Sequence, residues 1–482
     1  MATHVEAPTS AQTATTAQGR GVAQPAPSHP ADDAPVSAAT SSGDPFKRTL
    51  TVFDMVVYCL IFMVPIAPFS IFGNVFQASN GMPALAYLIG MVAMLFTVLS
   101  FGVMIARFPS SGSIYAYTTG GMGKGIGFVT GWLMLLQYLV TPDLMYIMAA
   151  IALHQYLPEV PVWVWCAGFL IFVTAVTLRG ISATIIVDRI ALVIELLVLG
   201  AFLVLGVTYV IGHPETSSFS TNAIFDPKTF DMGAMMSAVS LCVFSYVGFG
   251  SVATLAEEAK DGRHGPSRAM LIAVLLLGAM FMSMCFVATC VDPTGQVFAN
   301  NGDDGFYLVA QLVGGKWFGV LCAVAVAVAL GVFTALAGQT SASRILYAMG
   351  NSGSLPKALA KVDDKTRVPV VATLFVSGLS AAMLFFLLQL GMDDIAKVTN
   401  FGALASYCLL NICVIWYYWI KQKDHSNPVR LLICPAIGAV VTLVIFISLD
   451  TVAHVVGFVW VAIGIAYYLV VTKVLHRGVE ME

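Results

Sequence analysis

The sequence predicts an all-α polytopic membrane protein with twelve transmembrane helices, two of them interrupted near their middles. Three observations lead there. Of the 482 residues, 58% are hydrophobic and only 10% are charged, and the mean hydropathy of +0.86 lies far above that of soluble domains. Apolar stretches that reach the roughly 20 residues needed to cross a bilayer recur twelve times. The basic residues alternate with those stretches: with the N-terminus cytoplasmic, all but Lys228, Lys316 and Lys397 of the 23 Lys and Arg fall on the cytoplasmic side. One missing or extra helix would scramble that alternation. The net charge of -3 adds nothing, because placement matters more than the sum, and no basic patch points to nucleic acid.

Residues 1–46 are rich in Ala, Thr, Ser and Pro and cannot bury enough apolar surface to fold, so they are expected to form a disordered cytoplasmic tail. No basic, apolar and small-residue signal sequence opens the chain, so the first apolar stretch is a span. Helix 1 (52–76) is interrupted by Pro65 and Pro68 before Gly73, because proline removes a donor and collides with the preceding turn. Helix 2 (81–106) is continuous. The Gly- and Ser-rich stretch 109–127 follows a helix and lacks the ending of a phosphate loop, so a cytoplasmic re-entrant or hinge segment is expected.

Helix 3 (124–155) holds Asp143 next to Pro142, and helix 4 (161–178) is plain. Helix 5 (185–211) holds Glu195, seven residues beyond Asp188 and therefore about 10 Å into the span. Helix 6 (231–256) carries most of the stretch SLCVFSYVGFGSVATLAEE (240–258), with Gly248-Phe249-Gly250 at its middle. Two glycines at that depth weaken a regular helix and let backbone approach a ligand. Helices 7 (268–291), 8 (317–347), 9 (367–389), 10 (394–420), 11 (428–448) and 12 (452–474) complete the set. The connections 212–230 and 292–316 are polar and read as lids or ordinary connectors.

Ionisable groups inside a span are expensive, by about 2.5 to 3.5 kcal/mol on insertion scales, which makes Asp143 and Glu195 candidates for proton coupling. The plainer readings are a hydrated acid in the Pro142 kink and a pairing or snorkelling Glu195. Tyr138, Pro142 and Tyr146 recur at i, i+4 and i+8 and share a helix face. Phe244, Phe249 and Phe333 could close a site or hold a cation over a ring, although in a chain with 30 Phe each is core by default. Arg344 reads as an anchor at the end of helix 8. The nine cysteines and eight histidines show no metal-ligand or catalytic spacing, so neither an enzyme nor a metal centre is expected.

The helix 6 stretch FSYVGFGSVATLAEE with Pro266 and Arg268, together with TALAGQTSASRILYAMGNSGSLP and the RVP at 367–369, resembles the amino acid-polyamine-organocation permease superfamily. LPEVPVWVW (157–165), GGKWF (314–318), SRILYAMG (343–350) and NFGALA (400–405) are most similar to its bacterial putrescine-importer-like members. The resemblance implies a leucine-transporter-type 5+5 inverted repeat: 47–211 as the first repeat, 212–420 as the second, and 421–482 with helices 11 and 12 outside the core. It implies a secondary transporter of the inner membrane, both termini cytoplasmic, working by alternating access on a small amine, polyamine or amino acid.

The substrate would bind between the breaks of helices 1 and 6, against helices 3 and 8. Pro65, Ile66, Ser70, Gly248, Phe249 and Gly250 would line it, Phe244 would gate it, Phe333 would stack on it, and Tyr138 and Tyr146 would wall it. Glu195 falls where sodium-independent members often carry a Lys. No cofactor is implied; a proton gradient is the expected driving force, with sodium left open. The helix 1 break PIAPFSIFG (65–73) departs from the family's glycine-rich version, its prolines leaving carbonyls rather than N–H groups and so favouring an ammonium. Ser70, Gln137 and Gly250 stand where putrescine importers place acids. Asp143 is then the acid expected to anchor an amine, with carbonyls near Pro65 and Gly248 beside it. A neutral amino acid carrier, an exchanger and a non-transporting nutrient sensor are the alternatives.

Overall fold

The computed structural model describes residues 50–108, 112–179, 184–298, 302–351, 353, 355–363, 366 and 368–470, without the side chains of 184–188, 254, 256–258 and 263. The expected tail 1–46 and Arg367 lie outside these residues. Among them there is no strand, only an isolated bridge between Leu50 and Ala259. Twelve helical segments are long and apolar enough to span a bilayer. They are α1 (Val52–Ser70), α2 (Pro83–Arg107), α3 (Lys124–His154), α4 (Val162–Arg179), α5 (Arg189–Gly212) and α6 (Met232–Ala253), followed by α7 (Gly265–Val291), α8 (Lys316–Asn351), α9 (Val370–Leu387), α10 (Met392–Lys421), α11 (Val429–Ile447) and α12 (Thr451–Leu469). Each coincides with a predicted helix to within a few residues, and the chain is a multi-pass membrane protein. The stretch expected as a re-entrant or hinge segment holds a short helix, Ser113–Met122, that ends at Gly123.

α3 is the central element: 94% of its apolar core is buried, against 17% for α4 and for α12. A helix that is apolar on every side is stable only when surrounded. α10 lies directly against it at Gly402, where a side chain would collide with the Leu133 carbonyl and the Gln137 N–H, so close backbone approach is what the glycine permits. Also against α3, Trp132 and Trp460 of α12 each donate the indole N–H to the other's carbonyl at 2.8 Å, with the rings stacked at 4.7 Å. α10 reaches α2 through Asn411, whose carbonyl oxygen accepts from Ser100 at 2.5 Å and whose amide donates to Thr97 at 3.2 Å.

The ends of the bundle are tied by polar contacts. Thr51 and Asp54 form a capping box at the start of α1, and Arg189 at the start of α5 pairs with Asp54 at 2.7 Å. Arg107 at the end of α2 donates to the Tyr417 hydroxyl at 2.9 Å. At the opposite end, Lys397 of α10 pairs with Asp450, the N-cap of α12, at 3.1 Å.

Candidate functional site

Two spans lose their helical geometry at mid-height. In α1 the α-helix stops at Met63, and Val64 adopts φ 56°, a conformation β-branched residues rarely take, while its N–H still reaches Leu60. Pro65 brings no donor, and the chain resumes as a 3₁₀ turn (Ala67–Ser70) followed by the helix Phe72–Ala78. In α6 the α-helix ends at Cys242, a 3₁₀ turn runs from Val243 to Tyr246, Gly248 sits at φ 134°, and a second 3₁₀ stretch covers Phe249–Glu258. Irregular backbone inside a membrane survives only where protein surrounds it.

The surroundings supply that support. Tyr246 donates to the Tyr87 carbonyl at 2.8 Å, Ser245 and Tyr87 hydroxyls lie 3.2 Å apart, and Asn400 of α10 donates to the Ser240 carbonyl at 2.7 Å. These bonds pin the first half of α6 to α2 and α10. Phe281 of α7 packs its ring against both Tyr87 and Tyr246.

The two breaks touch. A methyl group on Gly248 would collide with the Phe62 ring and come 3.2 Å from Met63, the last turn of α1 before its own break. Pro65, Ile66 and Ser70 are buried or nearly so there, and the Ser70 hydroxyl donates to the Ala67 carbonyl at 3.0 Å. Phe249 is fully buried, stacked on Tyr407 of α10 at 5.4 Å and edge-on to Phe101 of α2 at 5.5 Å. Gly250 faces that same Phe101 ring. Tyr138 of α3 lies within electrostatic reach of Tyr58 in α1 and of Tyr407, so it belongs to this group of rings. Phe244 is buried one turn ahead of the break.

The structure thus brings Tyr138, Gly248, Phe249 and Gly250 from the sequence reading against α1 or α2, with Pro65, Ile66 and Ser70 buried in the α1 break and Phe244 buried one turn ahead of the α6 break. One part of that reading changes. The Gly248 carbonyl accepts both the N–H (2.9 Å) and the hydroxyl (2.6 Å) of Ser251, so its lone pairs are engaged and do not await an ammonium. The N–H groups of Phe249 and Gly250 open the following helical stretch and have no intrahelical acceptor, while the carbonyls that close the preceding 3₁₀ turn have no intrahelical donor, so the break offers groups of both kinds.

Asp143, Tyr146, Glu195 and Phe333 have their described neighbours on α4, α5, α8 and α9. The Ser380 hydroxyl of α9 donates to Asp143 Oδ1, Cys166 of α4 is within electrostatic reach, and Tyr146 lies parallel to Phe169 of α4 at 6.4 Å. Asp143 therefore faces α4 and α9, and among the described residues its hydrogen-bond partner is Ser380. Sequence spacing placed Asp143 on a helix with no polar face to orient it, and its partner is 237 positions away. Close by, Gln339 of α8 donates to Ser377 of α9 at 2.5 Å and to Thr174 of α4 at 3.3 Å, a buried polar string that apolar periodicity does not reveal. Phe333 lies in a π-helical turn, Ala329–Thr334, and lines the same groove as Glu195.

One side of the breaks is covered. The Phe69 ring stacks on Phe306 at 3.6 Å, Phe306 also meets Phe202 of α5 at 4.6 Å, and Phe306 belongs to the short helix Gly305–Gly314 in the connection between α7 and α8. Beside them the Asn74 amide donates to Asp303 at 2.9 Å and to Asp393 of α10 at 2.5 Å. Asn74 and Phe306 carry no sequence signal for this role. Only the polar, lid-like character of 292–316 pointed to the region. Among the described residues no three His, Cys, Asp or Glu side chains converge as a metal site.

Comparison with known proteins fits this geometry. The low-affinity putrescine importer PlaP of Escherichia coli (strain K12) is 27% identical over 437 residues, 90% of this chain and 95% of its own length. The branched-chain amino acid permease BcaP of Bacillus subtilis (strain 168) is 26% identical over 90% of this chain and 95% of its own. Mouse cationic amino acid transporter 4 is 27% identical over 79% of this chain and 61% of its own. The profile of the family described as amino acid permease matches residues 49–475, which takes in all twelve spans and both breaks, and the chain belongs to that family.

Proposed function

We propose that this protein is a secondary active transporter that imports a small amine or amino acid across the bacterial inner membrane by alternating access. The observation that carries the reading is the contact of Gly248 with Phe62 and Met63, which joins two broken helices at mid-membrane beneath a closed aromatic cover. Half-helices meeting at a break present N–H groups to an anion and carbonyls to a cation, and the rings of Tyr138, Phe249 and Tyr407 form a wall beside them. Both termini lie in the cytoplasm, a reading supported by the alternation of Lys and Arg. Residues 47–211 and 212–420 act as two inverted halves, a reading supported by a break in the first span of each.

In the proposed cycle the stack of Phe69 on Phe306 and the Asn74 bridge hold the outer side shut while the inner side opens. A proton is the coupling ion, with Asp143 and Glu195 as its candidate carriers and sodium as the alternative. Within the substrate class, an amino acid whose carboxylate meets the N–H groups of the α6 break is favoured over an amine anchored by Asp143, because that acid is turned toward Ser380. The relatives named above are described as handling putrescine, branched-chain amino acids and cationic amino acids, and all three belong in the test.

The test is uptake of each compound into proteoliposomes under an imposed pH gradient. Accumulation above equilibrium that collapses with a protonophore supports the proposal. Saturable binding without accumulation identifies a sensor instead, and accumulation only against internal substrate identifies an exchanger.

A further inference from the structure

Glu195 is 3% exposed, and its Oε2 is buried with no hydrogen-bond partner among the described residues. It lies in a groove of about 330 Å³ between α5 and α8. The floor is narrow and small-chained, made by Ala191, Ala325 and Ala329, with Phe333 beside them. The walls are Ile190, Ile194, Leu321, Val324 and Val328, each between 40% and 56% exposed, so the groove opens sideways onto the surface that faces lipid. No Lys or Arg lines it. Arg189, one residue before the wall, is held by Asp54 at 2.7 Å.

We propose that this groove binds lipophilic primary amines, with the ammonium on the Glu195 carboxylate and the alkyl chain along the alanine floor. A lone carboxylate out of water costs several kcal/mol unless a cation and hydrogen-bond donors meet it, and a primary ammonium supplies both from one small head group. The walls supply the other half of the match, because an alkyl chain there exchanges one apolar neighbour for another. A phospholipid fits worse: its phosphate would be buried where no basic side chain can pair with it. The proposal does not depend on the transport reading.

The test uses reconstituted wild-type protein and N,N′-dicyclohexylcarbodiimide, a reagent that enters from the lipid phase. The acid proton moves to one carbodiimide nitrogen, the carboxylate oxygen bonds to the central carbon, and acyl migration to nitrogen leaves a stable N-acylurea with no group lost. Peptide mass spectrometry is expected to find the adduct on Glu195 and to lose it in Glu195→Gln. Decylamine at ten times its dissociation constant is expected to slow total modification of Glu195, N-acylurea and the N-decyl amide (formed with release of dicyclohexylurea) counted together, roughly ten-fold by mass action, while decanol leaves it unchanged. Three results each overturn the proposal: no adduct on Glu195, equal protection by decanol, or equal labelling by a water-soluble carbodiimide. The protection experiment stands on wild-type protein alone, so a variant that misfolds does not blunt it.

Discussion

Replacing Gly248 by alanine tests the geometry of the joined breaks most directly. The new methyl group meets two penalties. It must accept φ 134°, a backbone region costing an L-residue about 1 to 3 kcal/mol. It must also displace the Phe62 ring, and overpacking of this kind costs typically 1 to 3 kcal/mol. Gly248→Ala is therefore expected to lose about 2 to 6 kcal/mol in reversible SDS unfolding from mixed micelles. Trimming the ring separates the two penalties: in Gly248→Ala with Phe62→Leu, the double mutant is expected to lose less than the sum of the single losses by about 1 to 3 kcal/mol, the overpacking share. The strain share remains. A single variant within about 0.5 kcal/mol of wild type, or a cycle additive to that precision, would refute the contact between α1 and α6 and with it the joined site.

Ser380→Ala is expected to cost about 1 to 3 kcal/mol, because it strips the donor from a buried carboxyl. Asp143→Asn is expected to leave the relative affinity for charged and neutral substrate analogues unchanged in competition assays; a selective ten-fold loss for amines would return Asp143 to the substrate site. Asn74→Ala removes both bonds that tie the helix Phe72–Ala78 to Asp303 and Asp393. On a cysteine-depleted background it is expected to speed labelling of Ala67→Cys by a membrane-impermeant maleimide at least about ten-fold, the equivalent of 1.4 kcal/mol, and an unchanged rate counts against the latch. Burial, and secondarily the neighbouring Asp303, holds the Asp304 carboxyl above its ordinary value of 3.8. The folded state then keeps that proton longer than the unfolded chain, so Asp304 makes stability fall as pH rises from near 3.8 through the folded value. Asp304→Asn is expected to flatten that part of a stability profile measured from pH 3 to 8, and an unchanged slope contradicts it.

Much of the fold was legible because a bilayer leaves few choices. A span must be long, apolar and internally hydrogen-bonded, so twelve apolar stretches became twelve helices, and Pro65 and Gly248 marked where those helices stop. Side-chain direction was harder to read. In α3 every face is apolar, so nothing in the sequence turns Asp143 toward Ser380 rather than toward α1. The π-helical turn at Ala329–Thr334, which holds Phe333, leaves no compositional trace. Asn74, Asp303 and Asp393 are separated by 229 and 319 positions and gain meaning only once folded together.

The reciprocal bonds between Trp132 and Trp460 have a mechanical corollary. Two attachments of equal length running in opposite senses fix both the sliding and the rolling of α12 on α3, where a single bond would leave a swivel. Gly464 takes the Trp132 ring into the same joint. α12 is therefore a passenger of α3: whichever part of the bundle α3 rides with during a conformational change, this largely exposed helix travels in step, and the lipid it displaces moves along with it.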